Sequence, residues 1–255
     1  MLKFGEMKRG QEKGEQMIHA DDFEKIFLPG LAIDAVIFGF QDNQLKILLL
    51  EYEHTNLFAL PAGFIKKEEN LNDAARRSVL ERTGLHNIYL EQFYIFGDVA
   101  RHDPEPLRKI MQAKGHPPSN DHWLLRRFLT VGYYALIDYT KATPIPDQLA
   151  DSCEWHELQN LPPLMLDHRE IVSKALESLR ANLDQKLIGF NLMPENFTMQ
   201  DLQSLYETVL GQKLLRTSFQ RKMLSLGILE RFEKKYSGGA HKAPYLYRFI
   251  KKQKL

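Results

Sequence analysis

The segment 63–85, GFIKKEENLNDAARRSVLERTGL, constrains the fold of this chain more than any other stretch, because a glycine-led loop precedes a strongly patterned helix. Asn70 is a candidate N-cap, and the acidic Asp73 stands at the third helical position. Apolar side chains then recur at helical spacing, at Leu71, Ala74, Ala75, Val79 and Leu80. The pattern predicts a helix that begins after Asn70 and buries one face.

A second face of that helix carries side chains that suit a metal ion poorly. Positions 78 and 82 are one turn apart with 81 beside them, so Ser78, Glu81 and Arg82 project together. Mg²⁺ prefers several oxygen ligands, usually carboxylates and water. A guanidinium is permanently cationic and repels a cation held beside it. We therefore predict weak or absent metal binding here, and we assign no catalytic residue.

Charge is unevenly divided along the 255 residues. The formal net charge is +1, yet residues 213–255 hold twelve Lys and Arg against two Glu, so this end carries +10 and residues 1–212 carry −9. A basic end on an acidic body predicts a polyanionic partner for that end.

Composition narrows the remaining classes. The single cysteine, Cys153, excludes an internal disulfide. No apolar run is long enough to cross a bilayer, and residues 1–22 do not resemble a signal peptide. We expect a cytoplasmic protein without a membrane partner or a cofactor.

Residues 23–183 are patterned as one α/β domain. A polar turn at 41–44 separates two β-rich runs and predicts a hairpin. The predicted strands lie at 31–40, 45–51, 57–62, 88–96, 128–139 and 153–157, and a helix is predicted at 167–182. The turn-rich stretch 97–122, with a short helix near 107–113, is either a functional loop or a tolerated surface excursion. Residues 1–22 lack periodicity and are expected to form a flexible arm.

Residues 184–255 change to a helix, helix and hairpin order. Thr198 is expected to begin a helix with Asp201 at its third position, and Gly211 to end it. A second helix is predicted at 217–226, with inward-facing Phe219, Met223 and Leu226. Strands predicted at 228–235 and 244–250 form a hairpin. This order is that of a winged helix-turn-helix.

The second helix exposes side chains that can contact DNA. Arg and Lys bind guanine, Gln pairs with adenine, and hydroxyl groups reach bases or phosphates. The hairpin adds basic residues around a Gly-Gly tip. The predicted DNA-binding residues are Arg216, Thr217, Ser218, Gln220, Arg221, Lys222, Lys234, Lys235, His241 and Lys242. The alternatives are a module for protein contacts or dimerisation, and an RNA-binding or scaffold role.

Together these features resemble the Nudix-related transcriptional regulators, the NrtR and AraR-like repressors. The Nudix box runs Gly, five residues, Glu, seven residues, Arg-Glu, an apolar residue, any residue, Glu-Glu, any residue, Gly and an apolar residue. Its register is kept at Gly63, Glu69, Arg77, Val79, Glu81, Gly84 and Leu85. The box's Arg-Glu pair is Arg77-Ser78 here, and its Glu-Glu pair is Glu81-Arg82. The segments 130–137, 190–194, 205–207 and 219–222 are also similar to the family.

The resemblance implies a Nudix-fold α/β/α sandwich with a mixed sheet, followed by a winged helix-turn-helix. It also implies a homodimeric repressor that binds a palindromic operator in double-stranded DNA and is released by a small-molecule effector in the former substrate cleft. Effectors of the family are ADP-ribose-type nucleotides or sugars such as arabinose. Loss of the carboxylates would serve a sensor, because a hydrolysed effector cannot report its own concentration.

Five residues are candidates for contact with such an effector. Phe58 and Tyr133 could stack on a base or a sugar, and Arg101 and Arg126 could hold a phosphate or a hydroxyl group. Asp103 belongs to a stretch that resembles the Arg-Asp-Pro-Arg of the NAD-linked branch of the family. The competing hypothesis is an active Nudix hydrolase of nucleoside diphosphate derivatives, with an accessory basic domain. It would use Glu69, Glu81 and either Asp98 or Asp103.

Overall fold

A computed structural model describes residues 20–184, 192–234 and 243–250. The strands are β1 Phe27–Gln41, β2 Gln44–Tyr52, β3 Leu57–Ala59, β4 Ala62–Lys66, β5 Tyr89–Phe96, β6 Leu129–Ile137, β7 Ser152–Glu157, β8 Phe197–Thr198, β9 Leu229–Lys234 and β10 Tyr245–Phe249. The helices are α1 Ala20–Ile26, α2 Leu71–Thr83, α3 Glu105–Ala113, α4 His168–Asn182, α5 Met199–Leu210 and α6 Arg216–Ser225. Within these ranges no helix is long and apolar enough to span a bilayer.

The larger sheet is mixed, as the resemblance implied. Its order is β3-β2-β1-β6-β5, with β4 added beside β1 and β7 beside β2. β1 pairs in parallel with β6, whereas its pairing with β2 and with β4 is antiparallel. The predicted hairpin is confirmed, because Gln41 and Gln44 are partners across the turn in the antiparallel pair β1–β2, and Asp42 and Asn43 take φ of 51° and 61°. Positive φ at both central residues is what a tight turn between twisted strands requires.

Central strand β1 is buried on both faces, which makes the domain a sandwich. Ala35 and Ile37 pack towards α2, while Val36 and Phe38 pack towards α4, and all four are fully inaccessible. A strand covered on both faces needs a continuous apolar run rather than an alternating one. The run 31–40 therefore predicted a strand but not which layer each side chain would join.

The C-terminal residues form the expected winged helix. Thr198 and Asp201 make a reciprocal capping box at the start of α5, and Gly211 ends the helix with φ of 70°. β10 pairs with both β8 and β9, so the wing is a three-stranded sheet. β8 was not predicted, because two residues are too few to show a strand pattern. The expected Gly-Gly tip lies outside the described residues.

One hydrophobic core continues across the predicted boundary between residues 183 and 184. It runs from Phe38 on the large sheet through Leu179 of α4 to Leu205 of α5 and Phe219 of α6. Two hydrogen bonds reinforce the contact: Arg180 Nε donates to the Val209 carbonyl at 2.8 Å, and Thr208 Oγ1 donates to the Asn43 carbonyl at 3.2 Å. The two parts are therefore packed together rather than joined only by a linker.

Two expectations need correction. The arm was expected to extend to residue 22, but α1 begins at Ala20, because Phe23 is 2% exposed and anchors it to the domain. Leu226 was expected to face inward, but it is 42% exposed. The physical reason is that α6 ends at Ser225, so Leu226 lies beyond the helical turn that points Phe219 and Met223 into the core.

Candidate functional site

Arg77 of α2 ties the glycine-led loop to the helix. Its Nε and Nη2 each donate to one oxygen of Glu69 at 2.8 Å, and Nη2 also donates to the Phe64 carbonyl at 2.7 Å. A further bond runs from Nη1 to Glu81 at 3.3 Å. The hydrogen bonds from Arg77 lower the pKa of the Glu69 carboxyl. Both carboxylate oxygens of Glu69 are therefore used to hold the loop to the helix.

Ser78 is packed against Gly63 rather than facing a ligand. The residue is 1% exposed, and its Oγ is buried without a hydrogen-bond partner. A Cβ on Gly63 would lie 1.9 Å from that Oγ, so loop and helix are in direct contact at this point. The position that holds a carboxylate in the Nudix box here holds a small side chain filling the gap.

Arg82 is a largely buried cation with few partners. Its side chain is 13% exposed; Nη1 donates to the Ile145 carbonyl at 3.2 Å, and Nη2 lies 3.8 Å from Glu81 Oε2. Its Nε is buried and makes no hydrogen bond. A metal ion bound by Glu81 would meet this fixed positive charge.

The side chains at the metal-ligand positions of the box do not fit the divalent metal ion that a Nudix box implies. Glu69 is bound to Arg77, Ser78 is buried, and Glu81 stands between two guanidinium groups. Over residues 20–184, 192–234 and 243–250, no group of three or more His, Cys, Asp or Glu side chains could hold a metal ion. Mg²⁺ needs more oxygen ligands than this surface supplies.

A cavity of about 370 Å³ opens beside the box. This volume lies within the range of about 300–1,000 Å³ that is usual for small-molecule sites. One part of the wall is aromatic, from Phe27, Phe64, His122 and Trp123. The other part is charged, from Lys66, Arg77, Glu81, Arg82 and Asp147. A flat apolar group and an anionic group could therefore bind side by side.

The aromatic wall is assembled from distant parts of the chain. The rings of Phe23 and Trp123 stack with centroids 3.7 Å apart, and Phe64 meets Trp123 edge-on at 5.0 Å. Trp123 directly follows the 97–122 stretch, so the end of that stretch forms part of the wall. Burial lowers the pKa of the neighbouring His122. These positions favour the functional interpretation of the stretch over a surface excursion.

Arg101 lies in a buried ionic cluster instead of the cavity wall. Its guanidinium donates to both oxygens of Asp167 at 2.8 and 3.2 Å and to the Phe128 carbonyl at 2.6 Å, and lies 3.6 Å from Asp34. His168, whose pKa is lowered by burial, accepts the Leu60 N–H at Nδ1. The Arg101 side chain is 7% exposed, so it holds the start of α4 to the sheet.

The other predicted effector residues also lie outside the cavity lining. Tyr133 is 1% exposed, and its hydroxyl donates to Asn72 Oδ1 at 2.7 Å. Phe58 packs edge-on against His156 with centroids 5.4 Å apart. Asp103 accepts the Glu105 N–H at the start of α3, and Arg126 pairs with Glu24 of α1. The five candidates therefore do not form one site.

Sequence reasoning missed most of the wall. It singled out Glu81 and Arg82 but not Lys66, Phe27, Phe64 or Trp123. The chain holds only two Trp residues, and the position of Trp123 at the end of a long insertion was the one available signal. Nothing local to Phe27 or Phe64 distinguishes them from strand residues of the core.

The surface of α6 has the character expected for a groove-reading helix. Phe219 and Met223 are buried, which confirms two of the three inward positions. Exposed side chains cover the opposite face, from Arg216, Thr217, Ser218, Arg221 and Lys222, with Gln220 half-buried. Lys222 Nζ also lies 2.6 Å from Asp184 Oδ2, so part of its charge is neutralised by the protein itself.

The described part of the wing is also basic and aromatic. Arg231 and Lys234 lie over the Tyr245 ring, 4.6 and 5.4 Å from its centroid. Phe232 is 43% exposed. The predicted contacts Lys235, His241 and Lys242 lie outside the described residues.

Each of the two domains of the chain matches a known protein family. Residues 28–175 match the NUDIX domain family, and residues 189–249 match the family described as NrtR DNA-binding winged helix domain. The chain is 32% identical over 228 residues to the ADPR responsive transcriptional repressor NtrR of Acinetobacter baylyi, covering 87% of this chain and 82% of that protein.

Solved structures agree with this assignment. Shewanella oneidensis NrtR is similar with a TM-score of 0.65 and 27% identity, covering 87% of this chain and 94% of that one. The same protein complexed with a 27mer DNA gives a TM-score of 0.64 and 28% identity, covering 86% and 93%. In this chain the range that matches the NUDIX domain precedes the range that matches the winged helix domain. The chain therefore belongs to the NrtR family of Nudix-related regulators.

Proposed function

We propose that this protein is a DNA-binding transcriptional repressor controlled by a small metabolite bound in the cavity beside the box. The observation that carries the proposal is the combination of two features. α6 exposes a basic face and shares a hydrophobic core with the Nudix domain, and the described residues of that domain hold no group of side chains that could bind a metal ion. The A. baylyi relative is named as an ADPR responsive repressor, and the S. oneidensis relative was crystallised with DNA. Both names support the proposal.

The DNA-binding part of the proposal places α6 in the major groove. Arg221 and Arg216 are exposed there, and no hydrogen bond or ion pair to another described side chain occupies them. Lys222 differs because Asp184 already neutralises part of its charge. Arg contacts to base edges contribute about 1–3 kcal/mol each, whereas phosphate contacts mainly change the salt dependence.

Fluorescence anisotropy on operator-like palindromic duplexes tests this part. Arg221→Ala should weaken binding about tenfold or more, and Lys222→Ala should weaken it less, because Asp184 already engages that side chain. Lys109→Ala, an exposed basic residue of α3, is the matched control and should bind as the wild type does. Equal binding by Arg221→Ala and the control would contradict a reading role for α6.

A palindromic operator requires two copies of α6. We propose a homodimer in which the two helices are about one DNA turn, ~34 Å, apart. Light scattering should give twice the chain mass, and one dimer should bind each duplex. Tight binding of a single chain to one half-site would oppose this arrangement.

For the effector we propose an ADP-ribose-type nucleotide rather than a pentose. The name of the A. baylyi relative supports this choice, and the cavity offers an aromatic wall beside Lys66 and Arg82 for a base and a diphosphate. ADP-ribose should raise the unfolding temperature and release the operator, while arabinose should do neither, because a specific ligand stabilises the state it binds. Release by arabinose alone would reverse the choice.

We further propose that the Nudix domain does not hydrolyse its ligand. The rationale is that Ser78 is buried and Arg82 stands beside Glu81, so the metal that hydrolysis needs has no set of carboxylate ligands. Incubation of the full chain with ADP-ribose and Mg²⁺ should give no phosphate-containing products. Product formation abolished by Glu81→Gln would instead support the active hydrolase hypothesis.

A further inference from the structure

The charge of the cavity differs from that of a Nudix site in a specific way. At positions 78 and 82 the box has two glutamates, which with one Mg²⁺ sum to zero charge. Ser78 and Arg82 together carry +1 without any metal ion. Without a metal ion, these two positions therefore carry a more positive charge than the same positions of a metal-loaded box, and Arg82 is the one of the two that lines the cavity.

Arg82 is also incompletely satisfied. A guanidinium has five N–H donors, and buried charges are normally paired and hydrogen-bonded. Here Nη1 donates to one carbonyl, Nε has no partner, and the nearest carboxylate, Glu81, is 3.8 Å from Nη2. Glu81 is also shared with Arg77. Because the Arg82 side chain lines the cavity, an anion bound there would supply further hydrogen-bond acceptors to its guanidinium.

Lys66 supplies a second cation on the β4 side of the cavity. Its side chain is exposed and makes no ion pair with any described residue. Two carboxylates also line the cavity and would oppose an anion. Asp147 Oδ1 already accepts the N–H groups of Leu149 and Ala150, and Glu81 already binds Arg77. Lys66 and Arg82 are the cations with capacity left for a ligand.

We infer that Arg82, assisted by Lys66, takes the place of magnesium and binds the diphosphate of the effector, so that effector binding needs no divalent cation. This inference rests on the proposed function and specifies how its ligand is held. A guanidinium matches phosphate oxygens with two parallel N–H bonds, whereas an ammonium acts as a point charge. Arg82 thus has two effects: it repels a metal ion, and it supplies the positive charge that the metal ion would otherwise bring to the diphosphate.

Calorimetric titration of the full chain without DNA tests the inference. ADP-ribose should bind with the same affinity, within twofold, in EDTA and in millimolar Mg²⁺. Inorganic pyrophosphate, used as a probe for the diphosphate subsite, should compete with it. Arg82→Gln should weaken ADP-ribose binding about tenfold or more, and Lys66→Gln should weaken it less.

Arg76→Gln is the matched control, because Arg76 lies on the same helix but is 64% exposed, pairs with Asp73 and does not line the cavity. Thermal unfolding of each variant identifies any fold defect. Lys66→Gln keeps the inference testable even if Arg82→Gln unfolds, since Lys66 is exposed. A loss of affinity in Lys66→Gln but not in Arg76→Gln supports the inference.

The outcomes separate this inference from the proposed function. If ADP-ribose binds and releases DNA only with Mg²⁺, the metal-free diphosphate site is wrong and the repressor proposal stands. If Arg82→Gln folds and binds ADP-ribose like wild type, Arg82 has no part in the site. If ADP-ribose binds in neither condition while the operator is still bound, both the diphosphate site and the proposed effector are wrong.

Discussion

At the scale of single residues, the two departures from the Nudix box act by different physical means. Ser78 acts through packing, because its buried side chain lies against Gly63, where there is no room for a Cβ on the glycine. Arg82 acts through charge, because it sets a cation where a metal ligand is expected. Neither side chain offers a carboxylate to a metal ion.

Gly63→Ala is predicted to destabilise the protein by about 1–3 kcal/mol, because its Cβ would lie 1.9 Å from Ser78 Oγ. Ser78→Ala alone should be nearly neutral, since that Oγ is buried without a partner. The double variant should recover part of the loss, because the Cβ of residue 78 still lies 3.0 Å from the added Cβ. Urea unfolding measures all three free energies, and additive effects in the double variant would contradict the contact.

At the scale of elements, the sequence predicts a helix start best where a side chain at the helix terminus hydrogen-bonds the free backbone N–H groups of the first turn. The Thr198 and Asp201 capping box begins α5 at the residue that the sequence indicates. α2 also begins after Asn70, but the Asn70 side chain donates to Asp73 Oδ2 instead of accepting a backbone N–H. The sequence therefore located both helix starts but described the chemistry of only one correctly.

Thr198→Ala is predicted to reduce the free energy of unfolding by about 1 kcal/mol, since Oγ1 accepts the Asp201 N–H at 3.1 Å. Thr217→Ala, at an exposed position of α6, is the matched control and should change stability by less than about 0.5 kcal/mol. Chemical denaturation followed by circular dichroism gives both values. A loss no larger in Thr198→Ala than in the control would exclude a stabilising cap.

At the scale of the whole molecule, α4 links the two parts of the chain. Its first turn is held by the buried cluster of Asp34, Arg101 and Asp167, which also fixes the start of the 97–122 stretch. Near its other end, Arg180 donates to the Val209 carbonyl of α5. α4 therefore joins the cluster at the sheet directly to the winged helix.

Arg180→Ala is predicted to weaken the coupling between effector and DNA more than it weakens either binding alone. Allosteric coupling is typically about 1–3 kcal/mol, and the Arg180 bond joins the helix that would transmit it to the winged helix. The operator affinity is measured with and without saturating ADP-ribose, in wild type and variant. An unchanged ratio of the two affinities would show that this contact does not transmit the signal.

Much of the fold was predictable because it depends on local patterns. The hairpin at Asp42 and Asn43, the helix after Asn70 and the capped start of α5 each follow from a few neighbouring residues. The lining of the candidate cavity was not predictable in the same way. Tyr133 and Arg101 have the chemistry of ligand contacts, but burial assigns both to internal hydrogen bonds.

By itself, the sequence determined the order of the two domains, the loss of the metal carboxylates at Ser78 and Arg82, and the separation of charge between the two ends. These properties depend on residue type and spacing, which the chain carries before it folds. Only the tertiary structure decided which side chains share the cavity, because Phe27, Lys66, Arg82 and Trp123 come together through packing between distant segments. The same packing left Arg82 Nε without a hydrogen-bond partner.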